Sequence, residues 1–102
     1  MNVIGANPAR KNSATVTGTR TVDLVDGDFQ VFTLSGDTTF TFNNAKLAGM
    51  RMTVEFITNG HTVTLPSNVK VAGGSISITG SSLLQLVWDT NWLEISRSIA
   101  VA

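Results

Sequence analysis

Met52, Val54 and Phe56 are apolar, while Arg51, Thr53 and Glu55 between them are polar or charged. That alternation has the two-residue period of a half-buried β-strand, and it recurs along most of the chain. Residues 21–25 alternate and stop at Asp26-Gly27-Asp28; residues 29–34 alternate and stop at Ser35-Gly36-Asp37. Both stops are turn chemistry. Phe40 and Phe42 share a face with threonines opposite.

The strand over residues 50–58 runs into Asn59-Gly60. That pair tolerates positive φ and is a strong type I′ hairpin signal. From it, residues 61–65 are expected to return antiparallel, until Pro66 removes a ladder donor. Further short strands are expected at 69–71 and 76–78, around Ala72-Gly73-Gly74, and at 83–88 and 93–97. Residues 43–49 have some character of a helical turn, too short to stand alone. The pattern amounts to about eight short strands with closely spaced turn signals. It predicts an all-β domain, an antiparallel β-sandwich or jelly-roll, over residues 15–102. No internal repeat stands out. Residues 1–14 do not alternate, and are expected to form an extended N-terminal arm that orders on a partner.

Both tryptophans flank the turn Asp89-Thr90-Asn91. Bringing the apolar faces of the two strands together requires Trp88 opposite Leu93 and Leu86 opposite Ile95. That register places Trp88 in the core and Trp92 on the other face or over the turn. Three roles stay open for Trp92: a rim residue, an intersubunit contact, or a stacking platform for a sugar, with Asp89, Asn91 and Glu94 near enough to bind its hydroxyls.

Charged residues make up 14% of the 102 positions, and the formal net charge is zero. Ordinary domains carry roughly 25%. So few charges leave the surface to Thr, Ser, Asn and Gly, and favour self-association. A neutral chain sets up no field to attract nucleic acid or an anionic membrane. No segment approaches the ~20 apolar residues of a membrane-spanning helix, and residues 1–13 lack the apolar region of a secretory signal. The chain begins at Met1 and reads as a complete small gene product.

No cysteine is present, which excludes disulfides and thiolate metal sites. His61 is the one histidine, a poor start for a metal site that needs three or four ligands. Asp23, Asp26 and Asp28 lack the ligand series and terminal Glu of a calcium loop. Ala72-Gly73-Gly74-Ser75 lacks the lysine ending of a phosphate loop. No catalytic constellation stands out, so neither an enzyme nor a cofactor is expected.

Several stretches resemble a small β module of tailed-bacteriophage structural proteins. They are Asp37-Thr38-Thr39-Phe40-Thr41-Phe42; Leu47-Ala48-Gly49-Met50-Arg51-Met52-Thr53-Val54; Thr62-Val63-Thr64-Leu65-Pro66; Val69-Lys70-Val71-Ala72-Gly73-Gly74; and Trp88-Asp89-Thr90-Asn91-Trp92. Val71 stands where that module often carries an aromatic residue. The likeness covers about residues 20–97 and transfers no active site. It implies a trimeric β-sandwich or jelly-roll on a virion, of the kind found on tail fibres and as capsid decoration. Small size, an apparently complete short gene, low charge and the arm then favour a homotrimeric capsid-decoration (cement) protein that stabilises the head shell by binding the major capsid protein. Asn2, Arg10 and Lys11 are then candidate capsid contacts on the arm. The alternative it leaves open is a tail-fibre or receptor-binding tip that contacts host-surface glycans through Trp92, Asn91 and Asp89.

Overall fold

A computed structural model describes residues 11–99. The chain is all-β, with 59% of residues in strands. Its strands are β1 (Lys11–Val22), β2 (Phe29–Phe42), β3 (Arg51–Ile57), β4 (Val63–Thr64), β5 (Val69–Lys70), β6 (Ser81–Asp89) and β7 (Asn91–Ile99). They join in one sheet in the order β1-β2-β3-β6-β7-β5, with β4 on β2. Residues 11–14, expected in the arm, belong to β1.

The expected antiparallel sandwich is corrected to a short β-solenoid. β1 pairs parallel with β2, and β2 pairs parallel with both β3 and β4. No helix of seven or more residues crosses between these strands. Parallel neighbours without such a crossover require the chain to make a full circuit before it lies beside itself again. The bend inside β2 shows the circuit. Phe32 and Phe40, eight positions apart, would be about 26 Å apart in a straight strand. Their ring centroids are 5.3 Å apart, so β2 turns a corner between them. β1 turns at the matching place, where its register on β2 slips between Val16 and Gly18, and Gly18 has φ +79°. Successive turns thus stack Lys11 on Phe29 and Phe29 on Thr53, then Thr19 on Thr39 and Thr39 on Thr64.

Asn59 and Gly60 do adopt positive φ, and His61 N donates to Thr58 O at 2.8 Å. The turn forms but the hairpin does not. It serves as a corner that delivers Val63 to Thr38 on the previous turn. Residues 76–78 are not a strand, and residues 43–49 form bends and a turn rather than a helix. The last strands are antiparallel as expected: β6 returns along β3, and β7 along β6.

Alternation then does what it promises. Met52, Val54 and Phe56 point inward from β3, and Phe40 and Phe42 from β2. Phe32, Phe40 and Phe56 form one aromatic cluster, with Phe40 edge-on to Phe56 at 5.2 Å. Edge-to-face rings add about 0.5–1.5 kcal/mol beyond area burial. Arg20 places its guanidinium 5.5 Å from the Phe32 ring centroid, over the first turn of the core.

Candidate functional site

The β6–β7 hairpin corrects the expected register by one step. Trp88 faces Trp92, Val87 faces Leu93 and Leu86 faces Glu94. Thr90 takes φ +68° at the apex and sets Asp89 opposite Asn91. A bulge between Gln85 and Leu86 then absorbs Ile95, which points outward, 46% exposed. Trp92 is 0% exposed, more deeply buried than Trp88. The two indoles meet edge-on at 5.5 Å. Trp92 Nε1 donates to Asn43 O at 3.0 Å, and its backbone N donates to Asn68 O at 2.7 Å. The Trp92 ring is therefore a core anchor, unavailable to a sugar or a neighbouring subunit. Asp89 stays exposed and Asn91 half-buried at the tip. Lys11 opens β1; Asn2 and Arg10 lie outside the described residues.

His61 Nδ1 lies 3.8 Å from Asp37 Oδ1, whose oxygen also accepts from Thr62 N at 2.8 Å. That is a corner contact. Among the described residues no group of three or more His, Cys, Asp or Glu side chains comes together around a metal-sized site.

A different region has the shape of a binding surface. The corner after β1 is a 3-10 turn, Leu24–Asp26, started by Asp23. Asp23 Oδ1 accepts from Val25 N at 2.9 Å and Oδ2 accepts from Asn43 Nδ2 at 2.8 Å. These bonds hold the Asp23 carboxyl below the usual carboxylate range: the Val25 amide first, then Asn43, with the Lys46 charge adding to them against partial burial. From beneath, buried Gln30 donates Nε2 to Asp23 O and Gly27 O, each at 2.8 Å. The corner after β2 spans residues 43–50. Gly49 N donates to Trp88 O and Trp88 N to Met50 O, both at 2.8 Å, which ties this corner to β6.

Between the two corners lies a cleft of about 490 Å³, lined by Leu24, Val25, Ala45 and Met50 with Asp23 and Lys46. Val25 is 71% exposed, Leu47 in the adjoining turn 68%, and Met50 37%. The carboxylate here is committed to capping its own turn. What remains is mainly apolar contact area with Lys46 and Asn44, the latter's Oδ1 accepting from Asn68 Nδ2, a surface suited to burial against another molecule. Sequence reasoning missed it because Val25 and Met50 were assigned to strands. The available signal was apolar residues placed directly beside turn chemistry, Val25 before Asp26-Gly27 and Leu47 before Ala48-Gly49.

Comparison with protein-family models finds no match, and comparison with curated proteins finds no relative.

Proposed function

We propose that this chain is a structural protein of a tailed-phage virion, a homotrimeric decoration protein that binds the major capsid protein on the head surface. The supporting observation is the apolar surface at the two neighbouring corners: Val25 and Met50 line the cleft between them, and Leu47 is exposed in the adjoining turn. Covering the well-exposed Val25 and Leu47 releases about 1–2 kcal/mol each, and the partly covered Met50 less. The rest of the exterior is poor in charge and rich in hydroxyls, with Thr15, Thr19, Thr21, Thr39, Thr41 and Thr64 all exposed. Such a surface resists a neighbouring protein weakly, because little charge must be desolvated. The role is mechanical: each copy buries surface across shell subunits and opposes their separation, with no reaction and no cofactor. The burial of Trp92 counts against the glycan-binding alternative, which needs an exposed ring.

Co-sedimentation with phage heads tests this reading, together with the mass of the free protein by light scattering. Trimers that bind heads in high copy number, and that lose binding in Val25→Ser/Leu47→Ser, are expected. A properly folded protein that ignores phage particles overturns it.

A further inference from the structure

The two ends of the sheet are finished differently. At one end, β5 and residues 72–75 run along β7 between Trp92 and Arg97. β5 pairs with it at Val69–Trp92 and Lys70–Leu93. Beyond that, Ala72 N donates to Glu94 Oε1 at 2.8 Å, and Arg97 donates to Ser75 O and Ala72 O at 3.3 Å. At the other end, β1 pairs only with β2 among the described residues. Val16 O accepts from Ser35 Oγ, and Val22 O from Asn43 N, so these two residues turn their backbone groups toward the second turn of the coil. Backbone groups alternate sides along a strand. Thr15 and Thr21 therefore aim N–H and C=O away from β2. β1 contains no proline, and its exposed side chains, at 13, 15, 17, 19 and 21, are all Ser or Thr, with Gly18 exposed at the bend. Natural edge strands are usually blunted by charge, proline or a covering element.

We infer that residues 11–15 of β1 form an antiparallel, two-fold contact with the same residues of a second copy, centred on Ser13, so that one sheet runs through both. The covered β7 end selects this occupant. Head-to-tail stacking would need an open edge at both ends, whereas a symmetric β1–β1 contact uses the open one twice and closes. Charge selects the direction. A parallel pair would set the two Lys11 positions side by side, while the antiparallel pair sends them to opposite ends of the ribbon. Facing Ser and Thr side chains are compatible cross-strand neighbours. The contact goes beyond the decoration reading and does not depend on it: it doubles whatever unit the rest of the surface builds.

The test is sedimentation of the full chain over a concentration series, with Thr15→Pro. Proline there removes an N–H aimed outward and leaves the β1–β2 ladder its donors. The expected result is a mass that halves in Thr15→Pro while circular dichroism and melting temperature hold, and that stays unchanged in Thr15→Ala, which keeps the N–H. If Thr15→Pro does not fold, Ser13→Lys/Thr15→Lys places charges on the exposed face of the pair and must halve the mass at low salt. A wild-type mass unaffected by these changes, or a wild-type monomer at every concentration, overturns the inference. Head binding, measured separately, reports on the decoration reading alone.

Discussion

Trp92 Nε1 donates to the carbonyl of Asn43 at 3.0 Å, across 49 positions of sequence. That bond joins the last hairpin to the corner that follows β2, and Asn43 in turn holds the Asp23 carboxylate. The tryptophan, the corner and the cleft beside it are one mechanical unit.

Trp92→Phe keeps an aromatic ring, but leaves the Asn43 carbonyl without its donor and opens space in the core. A loss of about 2–3 kcal/mol is expected, read from urea unfolding. The wild-type emission should be blue-shifted and resist acrylamide, since neither indole reaches solvent freely. Red-shifted, easily quenched emission in a folded sample would contradict the burial.

Much of the fold was legible, and the limits were physical. Alternation in residues 51–57 says which side chains face inward, and Met52, Val54 and Phe56 do. Alternation carries no information about which strand lies alongside. Asn59-Gly60 has the backbone of a hairpin turn, yet its strand continues onto β2, because stacking Val63 on Thr38 joins it to the previous turn of the coil. The stack was present as Thr19-Arg20-Thr21 and Thr39-Phe40-Thr41, which lie in register residue for residue, while Thr62-Val63-Thr64 joins it two positions out of step. Thr19, Thr39 and Thr64 stack in register. Corners of unequal length hid the period. The hairpin register was misread because Ile95 was counted as core, and the bulge that expels it lets Trp92 turn inward. Val25 and Leu47 escaped notice because an exposed apolar residue in a corner belongs to no periodic pattern.

Gly36 lies where the second turn of the coil bends, and a Cβ built there would collide with Thr17 Oγ1 on the first turn. Thr17 is exposed and can swing aside, so Gly36→Ala should destabilise by only about 1 kcal/mol. Thr17→Ala/Gly36→Ala removes the obstacle. Its stability should exceed the sum of the single effects, a positive coupling read from a double-mutant cycle. Simple additivity would mean the two turns are not stacked at this corner.

Ser82 is fully buried opposite Phe56, and its Oγ has no hydrogen-bond partner among the described residues. A buried hydroxyl without a partner is held at a loss relative to water. Ser82→Ala should therefore raise stability, by about 1 kcal/mol, with a matching rise in melting temperature by calorimetry. Destabilisation on this change would show that the hydroxyl does bond in solution.

Glu94 and Arg97 give the covered end of the sheet a dependence on pH. Burial alone would push the Glu94 carboxyl up; hydrogen bonds from Arg97 and the Ala72 amide, with the guanidinium charge, outweigh it and bring the group below its ordinary range. A carboxyl depressed on folding binds its proton more readily when unfolded. Its contribution is fully present above the unfolded value of about 4.3, and is lost as pH falls through the lower folded value. Asp23 is shifted in the same direction and adds slope in the same sense. Glu94→Gln should lower stability near neutral pH by about 2 kcal/mol, and should flatten, without abolishing, the decline below pH about 4. Urea midpoints measured along a pH series for both proteins check this. An unchanged slope would mean that Glu94 does not hold residues 72–75 against β7 in its ionised form.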